Sequence, residues 1–256
     1  MESGKKTELQ IPSSNTNKRI TIKGKGILEL DCSESTGLTH FECSGRNGVY
    51  NNLRHLNVKG LAMLTYLSCS YTELTSLDLS GLSDLTQLYC QHNKLTSLSL
   101  DSVPKLENLS CSYNKLSSLN LANMNRLKSL HYDGNNLKTL DLNDLANLTD
   151  LNCSFNNLSS LDVENLSNLK ELKCYVNKLT ALNVKDLNEL EYLDCANNQL
   201  GSFDISNLNK LTYLDCGKNK LTADAFTDIF NKLPIVDTSG GKHGTARLFD
   251  KYEDNN

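Results

Sequence analysis

In a chain of 256 residues, 48 are Leu and 32 are Asn, Trp is absent, Pro occurs 3 times and the formal net charge is −4. That bias is not the composition of an ordinary globular domain, and it asks for a search for internal repeats first. The mild acidity excludes the basic footprint of a nucleic-acid binder, and the lack of any run of about 18 apolar residues excludes a transmembrane helix.

Met1 to Lys6 are polar and no signal-like apolar stretch follows, which reads as a cytosolic chain or one whose leader has been removed. Residues 1–37 are expected to form an N-terminal β cap. In it, Ile20-Thr21-Ile22 and Ile27-Leu28-Glu29-Leu30 flank Lys23-Gly24-Lys25-Gly26, a hairpin pattern. Ile27, Leu30 and Cys32 also fit the first half of the repeat that follows, so the hairpin is expected to merge into the sheet. Repeats are expected over 38–231. An irregular first unit carries Leu38, Phe41, Cys43, Leu53, Leu56, Val58 and Leu61, with five surplus residues within Ser44 to Asn52. Eight units of 21 residues then run from Leu64 to Asn231 in the form L-x-x-L-x-C-x-x-N-x-L-x-x-L-x-L-x-x-L-x-x. The cysteine beat is Cys69, Cys90, Cys111, Cys153, Cys174, Cys195 and Cys216, with Tyr132 in the one gap. The asparagine beat runs from Asn93 to Asn219, with Thr72 in the slot before it.

Within a unit, Leu67-Ser68-Cys69 alternates apolar, polar, apolar, as a half-buried strand does. The following L-x-x-L-x-L stretch is too short for a stable helix and predicts an extended return. One unit cannot bury its leucines alone, whereas stacked units share a continuous core. Parallel strands then lie at about 4.8 Å spacing on a concave face, with the returns on the convex side. The Asn slot is expected to satisfy main-chain groups where the strand ends. The cysteines are expected to be small inward hydrophobes and free thiols, because in-register parallel strands aim their Cβ atoms alike. With no C-x-x-C pair, no metal is expected, and no cofactor. Tyr132 is far larger than Cys, so a local bulge is expected near residues 131–136. A C-terminal cap is expected over 224–256. Ala225, Phe226, Ile229, Phe230 and Leu233 have helical spacing before Pro234, a strand is expected over Thr245 to Phe249, and Glu253 to Asn256 are expected to fray.

The 21-residue period, the cysteine in the second strand slot and the second L-D-L half (Leu77-Asp78-Leu79, Leu140-Asp141-Leu142) resemble the leucine-rich repeat family, in the bacterial subclass called IRREKO-type. The segment from Leu221 to Pro234 looks like the terminal cap of leucine-rich repeat proteins from Bacteroidetes-like bacteria. The resemblance implies a mainly β leucine-rich repeat solenoid, a protein ligand, no enzymatic activity, and a cell-surface or secreted setting.

Alternation sends the polar strand partners to the open face, and the two positions after each cysteine, such as Ser70 and Tyr71 or Ser112 and Tyr113, are expected there with them. Seven of the ten tyrosines fall there (Tyr66, Tyr71, Tyr89, Tyr113, Tyr175, Tyr192 and Tyr213), and the outer returns from Leu74 to Leu208 have none. Tyr and His supply stiff contact area with a polar handle. The expected ligand-binding residues are Tyr66, Tyr71, Tyr89, His92 and Tyr113, with His131, Tyr175, Tyr192 and Tyr213 beyond them. The expected function is a non-enzymatic recognition module for a protein, with glycan binding by the same aromatic face as the alternative. His131, Asp133, Asp150 and Asn152 fall on adjacent rungs, but an open sheet excludes no water from a reaction. Lys173 is expected to neutralise Asp194 as a solvated pair.

Overall fold

The computed structural model describes residues 6–8, 18–22, 26–45, 50–234 and 244–247. The chain divides into two compact units, Met1–Leu127 and Lys128–Asn256. The N-terminal unit holds β1 (Lys6–Glu8), β2 (Lys18–Thr21), β3 (Glu29–Asp31), β4 (Leu38–Glu42), β5 (His55–Asn57), β6 (Tyr66–Ser68), β7 (Gln87–Tyr89) and β8 (Asn108–Ser110). Strands β2, β4, β6, β7 and β8 lie side by side and parallel, one per turn of chain. Strands β1, β3 and β5 make a second parallel strip. The C-terminal unit repeats the arrangement with β9 (Ser129–His131), β10 (Asp150–Asn152), β11 (Glu171–Lys173), β12 (Tyr192–Asp194) and β13 (Tyr213–Asp215). Helix α1 (Ala223–Asn231) and β14 (Thr245–Arg247) follow, β14 pairing parallel to β13. Each unit is thus a parallel-strand β-solenoid.

The 21-residue beat sets the register. Leu67 faces Leu88 and Leu88 faces Leu109; Leu130, Leu151, Leu172, Leu193 and Leu214 line up in the same way. These leucines are at most 1% exposed and form the spine of each core. All nine cysteines are buried and free. Burial holds the thiols of Cys32, Cys43, Cys69, Cys90, Cys153, Cys174, Cys195 and Cys216 above the ordinary range, with Cys69 and Cys153 pushed up to about 12. Tyr132 fills its cysteine slot at 0% exposure without disturbing the pairing of β9 with β10, so the expected bulge is absent.

The asparagines behave as main-chain substitutes. Asn114 donates through Nδ2 to the carbonyls of Cys90 and Cys111, each at 3.0 Å, and accepts at Oδ1 from the Leu95 N–H at 3.0 Å. One side chain thereby closes three main-chain groups on two successive turns. The same pattern recurs at Asn93, Asn156, Asn177, Asn198 and Asn219.

The N-terminus departs from expectation. No hairpin forms between β2 and β3: β2 joins the strand row beside β4, whereas β3 joins the other strip beside β5. Ile20 faces Phe41, and the Ile22 N–H donates to Glu42 O at 2.8 Å, so Ile20 and Ile22 fill the strand leucine and cysteine slots. Leu30 faces Leu56, and the Cys32 N–H donates to Asn57 O at 2.8 Å. Ile27, Leu30 and Cys32 are therefore the second half of a turn and not the first. The segment is one more degenerate repeat, in which two isoleucines do the burying. The linking residues 23–25 lie outside the described residues.

Helix α1 starts where expected. The Ala225 N–H donates to the Thr222 hydroxyl at 3.2 Å as an N-cap, and Ile229 is buried. The expected strand is described as far as Arg247; the expected frayed tail lies outside the described residues.

Candidate functional site

Each turn of chain places its outward residues in the same order. Two flank the strand leucine, a third follows the cysteine, and the fourth sits where the chain leaves the sheet. At this fourth position the backbone is left-handed on each rung from β6 to β13: Tyr71 (φ 53°), His92 (55°), Tyr113 (52°), Gly134 (65°), Phe155 (51°), Val176 (54°), Asn197 (54°) and Lys218 (54°). The conformation is held from outside, since the Tyr71 and His92 N–H groups donate to Gln91 O and Ser112 O, each at 2.9 Å, and Val176 N–H to Ala196 O at 3.0 Å. Gly and Asn adopt this region readily, other residues at about 1–2 kcal/mol, and β-branched ones least well. Val176→Asn is expected to stabilise the fold by about 1 kcal/mol, raising the melting temperature by about 2–4 °C. A lower melting temperature would show that the Val176 side chain contributes more by packing than its backbone loses.

In the N-terminal unit this column carries a pile of rings. Tyr71 and His92 stack at 4.2 Å between centroids and 15° between planes, His92 and Tyr113 at 4.4 Å and 5°. Tyr50 meets Tyr71 edge-on at 5.8 Å. Across the strands, His40 stacks on Tyr66 at 5.7 Å, and Tyr66 meets Tyr89 at 5.5 Å with a tilt of 44°. Each such pair adds about 0.5–1.5 kcal/mol beyond its buried area. Tyr113 remains 44% exposed.

The C-terminal unit is more charged. His131 Nε2 lies 2.8 Å from Asp150 Oδ2, and the Ser129 hydroxyl donates to the same oxygen at 3.3 Å. The hydrogen bond to Asp150 holds His131 above the ordinary histidine value, against burial, which pulls it down. Burial pushes Asp150 up, but bonds from His131 and Ser129 and the charges of His131 and Lys173 outweigh it and hold the carboxyl low. Lys173 pairs with Glu171 on its own strand and sits 5.0 Å over the Tyr192 ring. Tyr192 and Tyr213 are almost coplanar in stacking, 4.1 Å apart at 1°. Phe155 and Tyr175 meet edge to face at 5.1 Å. Ser129 donates to Asp150 and not to His131, so no nucleophile–base pair is formed. Among the described residues no group of three His, Cys, Asp or Glu side chains is placed to hold a metal ion. None of their helices is long and apolar enough to cross a membrane.

The expected residues fall into separate groups within each unit. Tyr66 joins Tyr89, Tyr71 and His92 join Tyr113, and Tyr192 joins Tyr213; His131 pairs with Asp150, and Tyr175 with Phe155. Two expectations fail. The column after the cysteines, expected on the open face, is mostly buried: Ser70 is 3% exposed, Ser112 5%, Asp133 8% and Ser154 0%. Short side chains at the start of the turn are covered by larger neighbours. Lys173 pairs with Glu171 instead of Asp194 because the carboxylate two residues back lies on the same face of the same strand. His40 and Tyr50 were missed. Both precede or lie in the five-residue surplus, which hides their alignment, although His40 faces Tyr66 in register.

Residues 188–231 match the family model described as Leucine Rich repeats (2 copies). No curated protein matches the chain. Among solved structures, the functional domain of InlJ from Listeria monocytogenes, described as including a cysteine ladder, is 30% identical over 88% of this chain and 53% of that one, with a TM-score of 0.72. The LRR protein LIC12759 of Leptospira interrogans is 28% identical over 77% of this chain and 53% of that one, at a TM-score of 0.70. YopM from Yersinia enterocolitica is 26% identical over 85% and 45%, at 0.66. The chain thus spans about half the length of the first two structures it resembles. It carries leucine-rich repeats, and its fold is that of leucine-rich repeat structures.

Proposed function

We propose that the chain is a non-enzymatic recognition module that binds a protein through the aromatic open face of its sheet, in a bacterial cell-surface or secreted setting. The observation that carries this reading is the piling of Tyr71, His92 and Tyr113 on a backbone conformation that Gly or Asn would adopt at less cost. Side chains kept at a conformational disadvantage, and still 44% exposed at Tyr113, are retained for contact with something outside the fold. The stacking also weighs between a protein and a glycan. A sugar needs an open ring face, and both faces of His92 are covered, as are the inner faces of Tyr71 and Tyr113. The ring edges and hydroxyls suit protein surfaces. Bacterial solved structures of the same fold support the setting.

Tyr66→Ala, Tyr89→Ala and Tyr113→Ala combined are expected to abolish capture of the protein partner from host extracts while melting stays cooperative. The captured protein is identified by mass spectrometry, and a glycan array is run beside it. Full capture by the triple variant overturns the reading, and array binding without protein capture replaces it with the glycan reading.

A further inference from the structure

We infer that the left-handed turn column of the N-terminal unit, Tyr71, His92 and Tyr113, is the ligand-reading edge of the face, and that it takes an uncharged, apolar segment of a protein partner. This rests on the recognition reading above and narrows it to a place and a chemistry.

Place comes from comparing columns. The strand residues Tyr66 and Tyr89 occupy extended backbone, where aromatic side chains are favoured in any sheet, so their presence alone says little. The turn column has the opposite preference. Gly134 and Asn197 make the same turn elsewhere in this chain with residues suited to it, so the turn does not require rings. Three consecutive rungs nevertheless place rings there, stacked at 4.2 and 4.4 Å into one stiff ridge with its edge outward. A ridge already ordered by stacking loses little side-chain freedom on binding.

Chemistry comes from charge. From Tyr66 to Tyr113 the outward positions hold only Tyr, Ser, Gln, Asn and His, in a chain that is 22% charged. Beside the column stand Glu73, Lys94 and Lys115, and Glu73 lies 3.3 Å from Lys94 and 3.6 Å from Arg54. The outward positions themselves offer no counter-charge, so a lysine or carboxylate of the partner would lose its water over the ridge without one there, whereas apolar side chains would lose nothing.

The test pans a displayed random-peptide library on the full chain. The enriched peptides are expected to be poor in charge and rich in apolar residues. Their binding is expected to weaken at least about tenfold in the double variant Tyr71→Asn, Tyr113→Asn, which keeps the turn because Asn tolerates it. The double variant Tyr66→Ser, Tyr89→Ser is the comparison. If enriched peptides depend on the strand pair and are indifferent to the turn pair, the inference falls and the recognition reading stands. If charged peptides dominate, the stated chemistry falls. If no peptide is enriched, both fall.

Discussion

Raising the pH from 8 to 10.5 is expected to unfold the protein cooperatively. Eight buried thiols have values raised by burial, to about 12 at Cys32, Cys69, Cys153 and Cys216 and well above 9.0 at Cys43, Cys90, Cys174 and Cys195. In the unfolded chain the same thiols ionise near 9. Between the two values the unfolded state has released protons that the folded state still holds, so stability falls as pH rises. Below the unfolded value both states are protonated and the contribution is flat. Each thiol loses about 1.4 kcal/mol by one pH unit above its unfolded value, so eight acting together lose about 11 kcal/mol near pH 10. That matches the whole stability of an ordinary domain, about 5–15 kcal/mol. Circular dichroism against pH, joined to urea midpoints at each pH, measures both the transition and the number of protons released. Stability unchanged up to pH 10 would mean that the cysteine column is not dry.

The cysteine beat made the fold legible because one slot carries the same small apolar side chain on seven of the eight regular turns. A period set by volume is visible in letters. The same logic explains what was not legible. At the N-terminal turn the slot is filled by Ile22, and the leucine before it by Ile20; chemistry is conserved and identity is not, so a search for Cys and Leu passes over a rung that lies 21 residues before Phe41 and Cys43. The five-residue surplus then breaks the register between Leu30 and Leu56, and a repeat half reads as half of a hairpin. The open face was legible in its strand residues, where alternation decides direction. It was not legible one step later, because alternation ends with the strand. Ser70 and Ser112, expected on that face, are buried; Tyr71, His92 and Tyr113 were expected there, but the left-handed backbone that carries them is signalled by no apolar–polar pattern. The pairing of His131 with Asp150 needed only adjacent rungs, and those the period supplies.

Asn198→Ala is expected to be among the most damaging single substitutions of a polar side chain in the C-terminal unit, at about 2–3 kcal/mol. Asn198 Nδ2 donates to the Cys174 and Cys195 carbonyls, each at 3.0 Å, and its Oδ1 accepts from the Leu179 N–H at 3.0 Å. Alanine leaves the Leu179 N–H without that acceptor and takes one of two amide donors from each carbonyl, Cys174 O keeping Asn177 Nδ2 and Cys195 O keeping Asn219 Nδ2, in a region where Asn198 itself is 8% exposed. The orphaned N–H costs about 1–3 kcal/mol, lessened where water enters the gap, and each lost carbonyl bond adds a smaller share. The exposed Asn207→Ala is expected to stay within about 0.5 kcal/mol, so loss of an asparagine as such is not the cause. The chain contains its own partial version of the experiment. Thr72 stands in the asparagine slot, and its hydroxyl reaches the Cys69 carbonyl of the preceding strand, at 3.0 Å, and Asn93 Oδ1 on the next turn, but no main-chain group of the previous turn. The two groups that an asparagine there would serve on the previous turn, Cys43 O and Leu53 N–H, are met by Asn51 from within the five-residue surplus, the latter at 3.2 Å. The loop that interrupts the period thus supplies what the interrupted column lacks. Asn198→Thr, with no such loop nearby, is therefore expected to recover the Cys195 contact but not those to Cys174 and Leu179, and to fall between wild type and Asn198→Ala in urea denaturation. Equal stability of Asn198→Thr and wild type would show that the bonds to Cys174 and Leu179 contribute nothing, and that the column is held by its leucines alone.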